Sequence, residues 1–241
     1  MKLFNGVEKF LSKLIFANRC EICGEVIEFN ESLCAECKNL TVIKPPYCEY
    51  CGYSKEDCLC KKKKNEYKRI VAPFYYKDSV TRAIHNFKNR EMPFLAKPLS
   101  RKMYDVICQS YDDIHFDYIT YVPFRKLHRI KRGYNQAQLL AEELSKLMNV
   151  PCKCLLNKVR YTGVQHKKTQ MQRKADIFGA FDVCDKYKNQ LDGKTVLLVD
   201  DVKTTGATLN ECAKMLKIYS ASSVYCSVVA ITKINKKSSK N

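Results

Sequence analysis

The stretch Lys194–Leu209, K-T-V-L-L-V-D-D-V-K-T-T-G-A-T-L, places the tightest limit on what this chain can fold into. Val196 to Val199 is an unbroken apolar run, the pattern of a strand covered on both faces, as in a parallel sheet. Two adjacent carboxylates follow, Asp200 and Asp201. A small, hydroxyl-rich loop comes next: Thr204, Thr205, Gly206, Ala207 and Thr208. Leu209, Cys212, Ala213, Leu216 and Ile218 then recur at helical spacing. Strand, acid pair, small-residue loop and helix together can hold a sugar phosphate. Backbone N–H groups and the positive end of the helix dipole face the phosphate. Threonine hydroxyls add donors, and Gly206 lets the backbone approach closely. Carboxylates at the carboxyl end of a parallel strand accept hydrogen bonds from ribose hydroxyls. Neither the Gly-x-x-x-x-Gly-Lys order of a nucleoside-triphosphate loop nor the Gly-x-Gly-x-x-Gly of a dinucleotide site is present. The plainer alternative is a buried strand and a capped helix with two solvated aspartates.

The chain has 241 residues, 46% of them hydrophobic, enough for one large domain or a mid-sized domain with a small companion. Its formal net charge is +18. A field of that sign favours polyanionic partners: nucleic acid, nucleotides, phosphates or an anionic membrane surface. It also suits a solubility adaptation, because net charge does not select a fold. No long apolar run escapes charged residues, so no spanning helix and no integral membrane protein is expected. Leu3, Phe4, Val7, Phe10, Leu11, Leu14 and Ile15 recur at helical spacing, interrupted by Glu8, Lys9 and Lys13. Those charges argue against a secretory signal and for an amphipathic helix. The helix is expected to pack on the protein itself, with membrane-surface docking as the lesser alternative.

Cysteine occurs 14 times. Eight of the cysteines fall in one short stretch as Cys20/Cys23, Cys34/Cys37, Cys48/Cys51 and Cys58/Cys60. A two-residue gap puts both sulfurs on one side of a knuckle, within reach of one tetrahedral ion. Gly24 and Gly52 stand just past the second sulfur, where a left-handed turn is easiest. A structural zinc module in the cytoplasm is therefore expected rather than a secreted disulfide scaffold. One ion or two, and sequential or cross-braced use of the pairs, are both open. Lys61 to Lys64 then reads as a linker. It divides a helix and cysteine module (residues 1–64) from a second domain (65–241).

In that second domain Ile70, Val71, Ala72, Phe74, Tyr75 and Tyr76 suggest a strand. Val80, Ala83, Ile84 and Phe87 suggest a helix carrying His85 and Lys88, which read as core or surface residues. Phe94 to Cys108 reads as another helix and Asp117 to Pro123 as a strand. Directly after it, F-R-K-L-H-R-I-K-R-G-Y-N-Q (Phe124 to Gln136) crowds Arg125, Lys126, Arg129, Lys131 and Arg132 into a loop suited to phosphate oxygens. Ala137, Leu140, Ala141, Leu144 and Leu147 form the apolar face of the next helix. Leu155 to Phe181, rich in Lys, Arg and Gln, reads as a mobile loop able to close over a charged substrate, or as a plain surface loop. The last strands are expected at Lys194 to Val199 and Val224 to Ile231.

Three stretches together permit a resemblance to be drawn. The cysteine module, V-P-F-R-K-L-H-R-I-K-R-G-Y-N-Q-A-Q-L-L-A and V-L-L-V-D-D-V-K-T-T-G-A-T-L follow in that order. The chain resembles the competence protein F family, a zinc module followed by a type I phosphoribosyltransferase domain, over nearly its whole length. R-Y-T-G-V-Q, from Arg160 to Gln165, matches a further family element, as do Arg173 and Gly179-Ala180-Phe181. Asp176 replaces a usual Asn. Lys203 replaces a usual small apolar residue, and is expected either to reach a phosphate or to face solvent.

The resemblance implies an α/β fold with a mostly parallel sheet and flanking helices. It implies binding of phosphoribosyl pyrophosphate (PRPP) with Mg²⁺, or of a related sugar phosphate. Asp200 and Asp201 would then hold the ribose hydroxyls, and Thr204 to Thr208 the 5′-phosphate. Arg125, Arg132 and Arg160 would face the pyrophosphate. The family is associated with natural DNA uptake, so single-stranded DNA and uptake proteins such as a helicase are the implied partners. The alternatives are an active transferase acting on an unknown nitrogen nucleophile, and a non-catalytic zinc-stabilised adaptor.

Overall fold

The computed structural model describes residues 18–28, 30–60, 64–89, 92–124, 133–159 and 179–232. In chain order its elements are α1 (Ala35–Lys38), β1 (Ile70–Val71), β2 (Phe74–Tyr75), α2 (Asp78–Asn89), α3 (Ala96–Ser110) and β3 (Tyr118–Tyr121). There follow α4 (Gln136–Met148), β4 (Leu156–Lys158), β5 (Phe181–Val183), β6 (Thr195–Lys203), α5 (Ala207–Ile218) and β7 (Ser223–Ile231).

The centre is a parallel sheet in the order β1-β7-β6-β3, with β2 also paired to β7. The expected strand at 70–76 is two short pieces on one edge of β7, split at Ala72-Pro73. Proline has no N–H for a ladder and is tolerated on an edge. The freed Pro73 carbonyl accepts from Ile43 N at 2.9 Å, so the segment before it covers the edge.

Alternation along β6 and β7 sets the two faces. Val196, Leu198, Val224, Cys226 and Val228 bury with Leu209, Cys212, Ala213 and Leu216 of α5. Leu197, Val199, Tyr225 and Val229 bury with Ile84 and Phe87 of α2, Leu99 and Met103 of α3, and Leu140 and Leu144 of α4. The sheet is therefore sandwiched between helices, as an all-parallel sheet requires.

Leu155 to Phe181 is not wholly loop. Its ends pair antiparallel as β4 and β5, Leu156 opposite Val183 and Lys158 opposite Phe181. Three-residue strands are too short to show a period in sequence. The rest of that segment, the amphipathic stretch at 1–17 and the lysines at 61–63 lie outside the described residues.

The cysteine-rich segment meets the sheet in two places. Its first knuckle packs on α2, where Asn86 Nδ2 donates to Cys23 O at 2.8 Å and Arg82 pairs with Glu36 at 2.5 Å. Its second shares the core of the sheet: Cys48, Cys51 and Tyr53 bury with Ile70 and Ile231. Tyr53 Oη donates to Thr232 O at 2.6 Å. Gly52, at φ +79°, allows this approach, because a Cβ there would lie 2.5 Å from Ile231 Cδ1 and 3.1 Å from Ile70 O. Gly52→Ala is expected to cost about 1–3 kcal/mol in strain and overpacking. Urea unfolding of the zinc-loaded protein measures this directly.

Candidate functional site

β6 extends past its apolar run and through both aspartates, because its pairing with β7 continues as Asp200↔Val228, Val202↔Ala230 and Lys203↔Ile231. The chain then bends at Thr204 and Thr205. Gly206, at φ 79° and ψ 1°, is the cap residue of α5 and carries no side chain to cover the first turn. Ala207 and Thr208, read from sequence as loop, are the first helical residues. Thr205 Oγ1 accepts from Ala207 N at 3.3 Å, which folds the bend onto the helix start. The acid pair, the bend and the helix N-terminus are thus brought together at one end of the sheet.

The pleat sends the two carboxylates to opposite faces. Asp201 turns toward α2, where its Oδ2 lies 2.7 Å from Lys88 Nζ. Asp200 turns toward α5 and feels the charge of Lys158 at the end of β4, as well as that of Lys88. Its Oδ1 accepts from Asp201 N at 2.8 Å. Burial, and then the neighbouring Asp201 charge, push the Asp200 carboxyl up to about 7. Burial opposes the charge on Lys88, but the Asp201 carboxylate holds its ammonium above the ordinary lysine range.

Lys88 was read from sequence as a core or surface residue, not a site residue, and Lys158 was not singled out. Both come from elements distant in the chain, and neither sits in a motif. The R-G-Y-N-Q segment explains how Lys88 is aimed. Tyr134 Oη and Gln136 Nε2 donate to the Phe87 carbonyl at 2.5 and 3.4 Å, clamping the last turn of α2. Asn135 caps α4 by accepting from Ala137 N at 3.0 Å, and its Nδ2 donates to Val122 O at 3.2 Å. This part of the segment is framework for the site. Arg125, Arg132 and Arg160 lie outside the described residues.

Lys203 follows neither expectation. It is 8% exposed rather than solvent-facing, and its Nζ is engaged by Cys51 O, to which it donates at 3.2 Å.

The eight cysteines form two sets, Cys20/Cys23/Cys34/Cys37 and Cys48/Cys51/Cys58/Cys60, each with its sulfurs within 4.8 Å of one another. The pairs are used sequentially, not cross-braced. Sulfur separations include 3.7 Å for Cys23–Cys34, 3.6 Å for Cys48–Cys60, 3.5 Å for Cys51–Cys58 and 3.3 Å for Cys58–Cys60. A tetrahedral zinc with bonds near 2.3 Å sets sulfurs about 3.8 Å apart, so both sets fit the ion with no disulfide. Four sulfurs complete each shell, which makes the centres structural.

Comparison with known proteins agrees with this geometry. The phosphoribosyl transferase domain family matches residues 131–241, and the double zinc ribbon domain family matches residues 11–67. Competence protein F of Haemophilus influenzae is 29% identical over 212 residues, 84% of this chain and 92% of that protein. The chain is thus similar to competence protein F over most of both lengths, with the zinc ribbon and phosphoribosyl transferase segments in that order. Another relative, DNA utilization protein YhgH of Escherichia coli, is 27% identical over 207 residues, 82% of this chain and 89% of that one. The solved purine phosphoribosyltransferase of Pyrococcus horikoshii is 19% identical, with a TM-score of 0.36 over 58% of this chain and 79% of that one.

Magnesium is a separate matter from zinc. Among the described residues, only the two cysteine sets bring three or more metal-ligating side chains together. The aspartate pair offers hard oxygen donors of the kind Mg²⁺ prefers, but too few for a protein-only cage. The residues fit an ion that arrives with a phosphorylated ligand.

The Asp200 shift has a testable sign. Its carboxyl titrates higher in the folded chain than in the unfolded one, so its contribution to stability is complete below the unfolded value and is lost as pH rises through the folded one. Between about pH 4 and pH 7 the unfolded chain binds one proton fewer at this site, and stability should fall by up to about 1.4 kcal/mol per pH unit from this group. Asp200→Asn should remove that component from a pH series of urea midpoints.

Proposed function

We propose that this protein binds PRPP, or a closely related phosphorylated sugar, where β6 ends, and that it handles incoming single-stranded DNA in the cytoplasm during natural transformation. The observation that carries the first part is the acid pair, flanked by Lys88 and Lys158, one bend away from a glycine-capped helix start. Asp200 and Asp201 accept hydrogen bonds from the ribose hydroxyls. Thr204, Thr205 and Thr208, with the first N–H groups of α5, donate to the 5′-phosphate. Lys88 holds the Asp201 carboxylate in place, and with Lys158 offsets ligand charge near the ring. Arg125, Arg132 and Arg160 are assigned to the pyrophosphate from sequence. Magnesium bound with the ligand would neutralise pyrophosphate oxygens.

Turnover is a second reading, favoured by the Asp200 carboxyl near 7. A group at that value can accept a proton from an attacking nitrogen at neutral pH. Thermal unfolding with and without PRPP and Mg²⁺ tests the site itself. Ligand at 100 times its dissociation constant should add about 2.7 kcal/mol. The Asp200→Asn/Asp201→Asn double variant should lose this gain while keeping its zinc. No gain in the wild type at millimolar ligand would discard the reading.

The names of the relatives, a competence protein and a DNA utilization protein, support the second part. So does a cleft of about 1000 Å³ lined by Arg19, Lys97, Arg101 and Lys146, with Phe94 on its wall. Phe94 is 49% exposed, large for an aromatic side chain and suited to stacking on a base. Glu21 and Glu143 also line the cleft, so the excess of positive charge there is modest. Binding of an oligothymidylate should weaken steeply with salt. Replacing Lys97 and Arg101 with alanine should reduce that slope by about 2. An unchanged slope would exclude this cleft as the path of the strand.

A further inference from the structure

Lys203 is the last residue of β6 and immediately precedes the threonine bend, yet its side chain runs toward the second cysteine centre. Its Nζ donates to the carbonyl of Cys51, a member of that centre, at 3.2 Å and stands 5.9 Å from the centre of the Tyr53 ring. Its charge lies within electrostatic reach of Cys48, Cys51 and Cys60. Along its stem, Cε lies 3.1 Å from the position a Cβ on Gly206 would take. One side chain therefore passes beside the cap of α5 and ends on the metal knuckle. Neighbouring contacts follow the same route. Tyr67 Oη donates to Tyr50 O at 3.4 Å and lies 3.5 Å from that same point above Gly206. Asn210 Oδ1 in α5 accepts from Glu66 N at 2.8 Å.

A buried ammonium with a single carbonyl acceptor is unfavourable unless an anion is near. Four thiolates around one divalent zinc leave a double negative charge, and the knuckle brings that charge beside Lys203. We propose that Lys203 is a positioning residue that couples the second zinc centre to the bend after β6. The zinc tetrathiolate and the Cys51 carbonyl hold the cation, and its stem fixes the height of Gly206 and of the first turn of α5. Loss of that metal removes the charge opposite Lys203 and loosens the bend. By reciprocity, a ligand seated in the bend slows loss of the metal. Only this last step rests on the sugar-phosphate reading of the site.

The test uses the full chain with both centres loaded. Zinc release to the chromogenic chelator 4-(2-pyridylazo)resorcinol is followed alongside amide exchange of residues 204–210. The first centre, Cys20/Cys23/Cys34/Cys37, serves as an internal reference. Cys58→Ser, which disables the second centre, identifies the release phase that belongs to it. In Lys203→Met that phase should quicken by about tenfold, the size expected for loss of a partner just outside a metal shell, while the first centre is unchanged. Amides 204–210 should exchange faster, and Lys203→Arg should restore both readouts in part. Unchanged release and exchange in Lys203→Met overturn the proposal. If that variant does not fold, the wild type decides: removing zinc from the second centre alone must speed exchange at 204–210, and no change there overturns it equally. PRPP with Mg²⁺ should slow second-centre release in the wild type but not in Lys203→Met. If the variant responds as expected and PRPP has no effect on the wild type, the coupling stands and the sugar-phosphate reading falls.

Discussion

The parallel pairing of β6 with β7 is the interaction on which the rest depends. Its register runs from Thr195↔Ser223 to Lys203↔Ile231, and every residue of β7 is buried. Two faces are thereby fixed at once. A slip of one residue would exchange Val196, Leu198 and Asp200 with Leu197, Val199 and Asp201, setting each apolar side chain against the wrong helices. The same alternation sends one carboxylate toward α5 and the other toward α2. Asp201 then pairs with Lys88, while Asp200 feels the charges of both Lys88 and Lys158. The chemistry of the site is thus a consequence of core packing, extended past the point where the core ends.

Both cysteine centres brace that end of the sheet, by different routes. The first is fastened to α2 through Asn86 and Arg82, and α2 carries Lys88. The second enters the core beside Ile70 and Ile231, and its polypeptide holds Lys203 at the foot of the bend. Short knuckles bury too little apolar surface to order themselves, and closed tetrathiolate sites supply the missing stability. Once ordered, they give α2 and the bend rigid supports that a loop of equal length would not provide. Tyr134 and Gln136 complete the frame by capping the Phe87 carbonyl, so the turn bearing Lys88 is held from both sides.

What could be read from the sequence divides along physical lines. The buried strand, the acid pair and the helix that follows are local patterns, and each is present, although the strand runs on to Lys203 and the helix already starts at Ala207. The cysteine knuckles are equally local. How the pairs combine is not, because sequential and cross-braced use satisfy the same spacing; the choice follows from which knuckles the chain brings side by side. Lys88 was read as a core or surface residue, and Lys158 went unremarked, because charges that meet across the end of a sheet leave no periodic trace. Lys203 was misjudged for a related reason. A lysine beside a phosphate bend invites a ligand role, and only the position of the second knuckle turns it inward. The edge strand broken at Pro73 and the short β4–β5 stem were lost to length, since two or three residues cannot display a period.

The arrangement of charge also separates two kinds of phosphate. The chain carries a formal charge of +18, yet the end of β6 presents two carboxylates. On the proposed reading, a bare phosphate or a DNA backbone approaching that point meets the repulsion of the Asp201 carboxylate, and of Asp200 wherever it is ionised. A ribose with free 2′- and 3′-hydroxyls donates to both carboxylates and places its 5′-phosphate over the helix start. A deoxyribose in a continuous strand lacks the 2′-hydroxyl, and its 3′-oxygen is esterified. By the same reading, the acid pair favours a free ribose phosphate over the interior of a DNA strand. On the proposed reading, the sugar-phosphate site and the DNA-handling surface must be different parts of the molecule. The Arg19, Lys97, Arg101 and Lys146 cleft answers to that division, since its lining comes from the first cysteine knuckle, α3 and α4 rather than from the end of β6. On that reading, a protein built this way holds both ligands at once.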